Sequence, residues 1–466
     1  MLVDFVDGGV GNGISVFDGN TGAARVLDAS ASVYRTLSWR PKSDALAVLR
    51  AQTDKEHADT AHVVLAWAAA GSAEAVPRVL DATTTAGFPT GVRVTDYRRP
   101  TWSRDGGTLY LGVRGREPVA SMPKKSEDKV SDVEIWHTRD IRAITEQRSS
   151  EQRDARATML MAWSMAPSRT VLLGTDPAES ASVLEGDAFA TETDRKPYPF
   201  GQKFGRADQD LWAVDIATGA RKKLLTKVRF TFPADPTGKR VPWFDGRDYW
   251  AIDVASGART NLTATLTTGA RADFVDRDAD YPTDVAPPIG SPSWPKDGSV
   301  MYVNSAYDVW ALALDGSGGR RLTDGAREGV VHRIVSFAGF GASPAERAID
   351  RSKPVYVSLF GKRTKQSGYA RLMPSGEVQR LLFADASIAS LSRADSVDRV
   401  AFVRQRFDES PNVFVAGGDL TAAARWSDTN PFRKDFAWGK AELFSYKSTI
   451  GRPLQAILYY PANYDS

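Results

Sequence analysis

Short apolar segments alternate with small turn-forming residues along most of the chain. One pattern combines an acidic residue, an apolar segment with a Trp, a turn containing Gly, a basic residue and a terminal Leu-Thr. Its three copies cover residues 210–226, 248–263 and 308–323. In the first copy, alternation places Trp212, Val214 and Ile216 on one face of a strand, and Gly219 suits the tight turn that follows. Each copy therefore predicts a β-hairpin.

A second pattern lies upstream of some of these hairpins. A Trp is followed by a polar turn containing Asp and then by a short apolar run. Its copies cover residues 39–48, 102–111 and 294–303. The two hairpins together make a four-stranded unit, and such units repeated every few tens of residues are typical of a β-propeller.

We therefore predict an all-β fold, a β-propeller of about seven or eight four-stranded blades, over residues 1–438. Two polar stretches interrupt the repeats and are predicted to be insertions, near residues 123–156 and 179–204. Helix is expected mainly in the first insertion. Long connections in a compact domain are commonly functional.

The pattern changes over residues 439–466. Two strands are predicted there, joined by a turn at Ile450 and Gly451 and followed by an extended segment at Pro461, and the second strand is apolar. This hairpin is predicted to lie outside the propeller and to link it to another domain. An apolar strand without a partner surface would be poorly anchored.

Composition narrows the possible functions of the 466-residue chain. It is 42% hydrophobic and carries 60 basic and 57 acidic residues, for a formal net charge of +3, without long runs of one sign. No nucleic-acid or membrane partner is therefore expected. The absence of cysteine excludes disulfides, thiolate metal sites and a cysteine nucleophile.

The segment 451–464, a Gly turn followed by an apolar strand that runs to Pro461, resembles the linker hairpin of the prolyl oligopeptidase family of serine peptidases. The Trp-Ser-x-Asp-Gly hairpins and the Leu-Trp-Ala-Val-Asp blades are similar to the propeller of the longer bacterial members. The resemblance implies that the chain stops just before a catalytic α/β-hydrolase domain.

No catalytic residue can be assigned from this resemblance. The family's Ser, Asp and His lie in the hydrolase domain, the Ser on a Gly-x-Ser-x-Gly turn. The two nearest patterns, at Ser15 and Ser343, lack the closing glycine. The chain alone should therefore hydrolyse nothing, because it lacks an activated nucleophile. No cofactor is expected.

Metal sites are not expected either. The four histidines, His57, His62, His137 and His332, form no metal-binding spacing, and His137 is predicted to be a packed strand residue. The alternating aspartates of residues 273–284 lack the Gly and Glu of a calcium-binding loop, which favours a solvated loop. Four further aspartates are predicted to be turn residues that accept hydrogen bonds from nearby backbone: Asp105, Asp215, Asp253 and Asp297.

Relatives that cleave dipeptides bind the substrate's amino terminus with acidic residues of a propeller insertion. This chain has no Glu-Glu pair, but Asp132 and Glu134 lie in a suitable insertion and are its candidates for substrate contact.

The predicted function is that of a propeller that covers the active site of a serine oligopeptidase or dipeptidyl-peptidase-like enzyme and admits short peptides. A stand-alone propeller that binds a protein or glycan partner is the alternative. A propeller glycosidase or lactonase would need converging carboxylates or a metal, and no motif supports it. Compartment, peptide specificity and oligomeric state are not determined by the sequence.

Overall fold

The computed structural model describes residues 2–4, 12–119, 133–205, 207–280, 284–339 and 342–464. The chain divides into two compact units, Met1–Val241 with Ile252–Ala258, and Pro242–Ala251 with Arg259–Ser466. Each unit is built from small β-sheets that follow one another along the chain. Strands that follow one another in the sequence usually pair, so consecutive hairpins produce consecutive sheets.

The first unit contains four sheets of three to five strands. The first two sheets consist of β1 (Leu2–Asp4), β2 (Gly13–Phe17) and β3 (Ala24–Ala29), and of β4 (Tyr34–Trp39), β5 (Leu46–Gln52), β6 (Ala61–Trp67) and β7 (Arg78–Leu80). The third consists of β8 (Val92–Val94), β9 (Thr101–Trp102), β10 (Thr108–Gly115), β11 (Met159–Met165) and β12 (Ser168–Leu172). The fourth consists of β13 (Ala181–Val183), β14 (Phe189–Asp194), β15 (Gln209–Asp215) and β16 (Arg221–Val228).

A four-stranded sheet follows, and its residues are divided between the two units. Its strands are β17 (Phe230–Thr231), β18 (Arg240–Phe244), β19 (Tyr249–Asp253) and β20 (Arg259–Asn261).

The second unit continues with three sheets and a terminal hairpin. The strands of its sheets are β21 (Val300–Asn304), β22 (Val309–Ala313) and β23 (Gly319–Arg321), then β24 (Val330–Ile334), β25 (Val355–Gly361), β26 (Ser367–Leu372) and β27 (Val378–Ala384), then β28 (Ser387–Arg393), β29 (Val400–Arg406), β30 (Glu409–Ala416) and β31 (Ala424–Arg425). The hairpin pairs β32 (Lys440–Lys447) with β33 (Pro453–Tyr460).

Helices are short within the described residues. They are α1 (Ile144–Ala155), α2 (Pro199–Lys203), α3 (Thr268–Ala272), α4 (Gly325–Glu328), α5 (Pro344–Arg347) and a 3-10 helix at Pro431–Asp435. The twelve-residue α1 lies in the first predicted insertion, as expected. No helix in the described part of the chain combines the length and apolar character that crossing a membrane requires.

The hydrophobic cores lie between successive sheets rather than at one centre. In the first unit, one core joins Leu49 and Val64 of the second sheet to Leu111 and Trp163 of the third. In the second unit, a core joins Tyr302 of the β21–β23 sheet to Val357 of the β24–β27 sheet. Sheets that bury their faces only against neighbouring sheets are the blades of a β-propeller. The predicted fold class is confirmed, and the eight sheets that precede the terminal hairpin in the described residues agree with the predicted seven or eight blades.

The stretch 179–204 differs from its prediction as an insertion. It supplies β13 and β14, which are half of a four-stranded sheet. The polar strand β14 is accommodated because the buried Glu192 forms an ion pair with Arg221 and accepts a hydrogen bond from the Thr175 hydroxyl at 2.9 Å. A buried charge that is paired and hydrogen-bonded is tolerated in a core, so strand polarity did not mark a loop here.

Candidate functional site

The hairpin of β32 and β33 is ordered by regular pairing and by its turn. Eight residue pairs run from Lys440 and Tyr460 to Lys447 and Pro453 without a register shift. In the turn, the Gly451 N–H donates to the Ser448 carbonyl at 2.8 Å, and Gly451 has a φ of +78°. That conformation favours glycine, so the sequence sets the turn where it was predicted.

One face of the hairpin contacts the two preceding sheets of the second unit at two points, although Ile457 and Tyr459 on this face are 53% and 60% exposed. Every second residue of a strand points to the same side, so Gln455 and Tyr459 of β33 share this face. The Gln455 amide donates to the Arg363 carbonyl at 2.8 Å. The Tyr459 ring lies 5.3 Å from that of Phe407. We call this side the inner face.

The opposite side, which we call the outer face, consists of Phe444, Tyr446, Leu454 and Leu458, with Ala456 between them. The four larger side chains are exposed, at 42%, 45%, 42% and 43%. The rings of Phe444 and Tyr446 are 5.8 Å apart, so they form a continuous apolar surface. Contiguous exposed apolar surface marks an interaction site, since water solvates it poorly.

Charges flank the outer face at its open end. The Lys440 ammonium lies 3.0 Å from the Glu442 carboxylate, which raises the pKa of Lys440. A paired cation and anion beside apolar side chains resemble the polar rim of a protein interface. The arrangement can bind an apolar surface.

The acidic candidates for substrate contact lie in the first unit. Asp132 lies outside the described residues. Glu134 is exposed and forms an ion pair with Arg148 of α1. Beside it, the Lys203 ammonium lies 4.8 Å from the Trp136 ring, which joins this segment to α2. The structure therefore leaves the assignment of Asp132 and Glu134 to substrate contact as a prediction.

The histidines occupy four separate environments. His62 and His332 are buried, and burial lowers the pKa of each imidazole. His57 Nδ1 lies 2.8 Å from the Asp54 carboxylate. His137 lies in an exposed loop, so its prediction as a packed strand residue was wrong. Across the described ranges, no group of three or more His, Asp or Glu side chains could hold a metal ion.

The turn aspartates behave as predicted. The Asp215 carboxylate accepts hydrogen bonds from the Thr218 N–H at 2.6 Å and hydroxyl at 2.7 Å. Asp253 does the same with Ser256, and the Ser256 N–H contributes most to lowering the pKa of Asp253. Asp105 accepts a hydrogen bond from the Gly107 N–H, and Asp297 accepts one from the Ser299 N–H. These carboxylates organise turns and form no catalytic pair.

Sequence reasoning identified the apolar strand β33 but missed Phe444 and Tyr446 of β32. The signal was available in the alternation of residues 442–446, which places these two aromatic residues on one face. Their association with Leu454 and Leu458 depends on the register across the hairpin.

No family model matches the chain, and no curated protein matches it in sequence. Among solved structures, the chain is similar to dipeptidyl peptidase 4 of Porphyromonas gingivalis, with a TM-score of 0.52 and 11% identity over 97% of this chain and 62% of that one. The chain also matches a prolyl endopeptidase, with a TM-score of 0.39 and 10% identity over 93% of this chain and 55% of that one. It matches the Pyrococcus horikoshii acylaminoacyl peptidase with a TM-score of 0.35 and 10% identity over 91% of this chain and 58% of that one.

The similarity to dipeptidyl peptidase 4 agrees with the fold. It extends along nearly the whole of this chain, which spans about three fifths of the length of that structure.

Proposed function

We propose that this chain is the non-catalytic propeller region of a serine peptidase of the prolyl oligopeptidase family, and that it controls which peptides reach the active site. The outer face of the β32–β33 hairpin carries this proposal. It is an exposed apolar surface at the position where the sequence resembles a linker to the hydrolase domain.

The proposed occupant of the outer face is that hydrolase domain. The matched part of dipeptidyl peptidase 4 accounts for 62% of its chain, so the rest of that chain has no counterpart here. Full burial of an exposed apolar side chain of this size contributes roughly 1.5–3 kcal/mol when a partner surface is present. The four side chains are already more than half buried, so a second domain would gain only part of that energy at each of them.

A protein extended by the sequence encoded after Ser466 tests the proposal. We expect about 200–250 further residues with a Gly-x-Ser-x-Gly motif, the size of one domain. The extended protein should hydrolyse short peptides and react with a fluorophosphonate at one serine, because that serine has an adjacent base. The present chain should do neither. A stop codon after Ser466, or labelling of the present chain, would refute the proposal and favour a stand-alone binding propeller.

The role of the outer face is tested by measuring how the separately produced downstream domain binds this chain. Leu458→Ser should weaken binding about tenfold, because it places a hydroxyl in an apolar contact. Val397→Ser is the matched control, since Val397 is 59% exposed elsewhere in the second unit. Equal effects of the two substitutions would show that the outer face is not the contact.

A further inference from the structure

A cavity of about 860 Å³ lies between the β21–β23 sheet and the β24–β27 sheet of the second unit. Its walls are the β22–β23 turn, the segment 349–353 that leads into β25, and the β26–β27 turn. Small-molecule sites commonly have volumes of about 300–1,000 Å³. The cavity is therefore large enough for a small organic ligand.

The floor of the cavity is apolar. It is formed by Tyr302, Ala311, Leu322 and Leu372, all buried residues of the core between the two sheets. Burial raises the pKa of Tyr302, so its phenol remains neutral and adds no negative charge. A ligand that reached this floor would need an apolar body.

The rim of the cavity carries more cations than carboxylates. Lys296, Arg320, Arg351 and Lys353 face two aspartates, Asp297 and Asp350. Arg351 pairs with Asp297, and the Lys296 ammonium lies 3.4 Å from the Asp350 carboxylate. Within the described part of the chain, Arg320 and Lys353 form no ion pair. The rim therefore retains two cations after its internal pairs are formed.

Arg320 reaches from one wall of the cavity toward the other. It belongs to the edge strand β23, and its Nη1 lies 3.8 Å from the position that a Cβ would take at Gly376, in the β26–β27 turn. Arg320 is exposed, so its guanidinium lies at the solvent side of the cavity. A guanidinium presents two parallel N–H donors that match the two oxygens of a carboxylate.

We propose that this cavity binds a small carboxylate with an apolar body, whether a free fatty acid or the C-terminal residue of a short peptide. Arg320 and Lys353 bind the carboxylate, and the floor formed by Tyr302, Leu322 and Leu372 receives the apolar body. The apolar floor favours an acid with an apolar body over inorganic phosphate, which has none. This inference is independent of the proposed peptidase function.

Calorimetry with the whole chain tests the proposal, using N-acetyl-leucine as a model of a peptide terminus and octanoate as a fatty acid. Binding of at least one is expected, and the stronger binder identifies the source of the ligand. N-acetyl-leucinamide has the same apolar body without the charge and should bind at least about tenfold more weakly. Equal binding of the amide, or binding of neither acid, would overturn the proposal.

Substitutions locate the binding. Arg320→Gln should weaken it about tenfold by removing the bidentate donor. Arg347→Gln is the matched control, because Arg347 is an exposed arginine of α5 outside the cavity. Lys353→Gln and the space-filling Ala313→Leu provide independent tests if Arg320→Gln does not fold. Inorganic phosphate that displaces the acid at equal concentration would show that the apolar floor has no role and would also overturn the proposal.

Discussion

Buried Asp-Thr pairs explain why two of the recurring hairpins end in Leu-Thr. The buried Asp308 carboxylate accepts a hydrogen bond from the Thr323 hydroxyl at 2.7 Å, and Asp248 accepts from Thr263 at 2.8 Å. The Thr323 hydroxyl in turn accepts from the Val309 N–H at 3.1 Å. Each pair therefore ties the end of the outer strand to the start of its neighbour, which makes the motif structural.

Substitution of Asp308 should measure this contribution. Asp308→Ala leaves the Thr323 hydroxyl and the backbone N–H groups of α4 without their acceptor, so the free energy of unfolding should fall by about 3 kcal/mol. Asp315→Ala, at an exposed turn of the same sheet, is the control and should change stability little. Denaturant unfolding compares the two variants. Equal losses would mean that the buried acceptor is unimportant.

His332 should make stability depend on pH. Its folded pKa is lowered by burial, although the nearby Asp308 opposes that shift. As pH falls below the unfolded value of about 6.5, the unfolded state takes up the proton first, so stability falls.

Replacing the histidine with a neutral side chain isolates this effect. In His332→Gln, the melting temperature should change less between pH 7.5 and pH 5 than in the original protein. These two pH values lie on either side of about 6.5, the pKa of an unperturbed histidine. His137→Gln, which removes an exposed histidine, is the control. An unchanged slope in His332→Gln would contradict the assignment.

Among the elements, blade strands and the terminal hairpin differ in what covers them. All seven residues of β6 are buried, because neighbouring sheets cover both of its faces. In β32 and β33 apolar residues are exposed on both faces. On the inner face, Gln455 contacts Arg363 and Tyr459 contacts Phe407. These two contacts bury little of the hairpin.

Deletion of residues 439–466 should therefore cost the propeller little stability. We expect the melting temperature to fall by less than about 5 °C, since few buried contacts are lost. Aggregation measured by light scattering should decrease, because an exposed apolar hairpin is removed. A larger fall would place the hairpin within the propeller and refute the predicted domain boundary at residue 438.

For the whole molecule, the common feature is a series of small sheets with separate cores. Each core joins two neighbouring sheets, as at Tyr302 and Val357, so the fold can be extended by repetition. In the proposed function, this series of sheets restricts access to an active site that another domain supplies.

Size selection by the extended protein is the corresponding prediction. If the propeller controls access, a short peptide should be hydrolysed. The same sequence in a surface loop of a folded carrier protein should not be hydrolysed, because the folded protein is too large to reach the active site. Mass spectrometry of both digests provides the comparison. The unfolded carrier is the control, because its cleavage shows that the sequence can be hydrolysed in that context. If the folded carrier were cleaved as fast as the free peptide, selection by size would be refuted.

The sequence by itself determined the hairpins and their turns, because alternation and turn chemistry are local. Gly451, Asp215 and Asp253 occupy the turns that their neighbours predict. Repetition of these hairpins was sufficient to predict a propeller, since no single hairpin can bury its own faces.

Only the tertiary structure decided which faces are covered, because coverage depends on residues distant in sequence. Alternation grouped Trp212 with Val214, yet Val214 is fully buried while Trp212 is half-buried, with the Lys223 ammonium 4.9 Å from its ring. The polar strand β14 required Arg221 to neutralise Glu192. The cavity at Arg320 likewise exists because two sheets meet there, and no local pattern records the space between them.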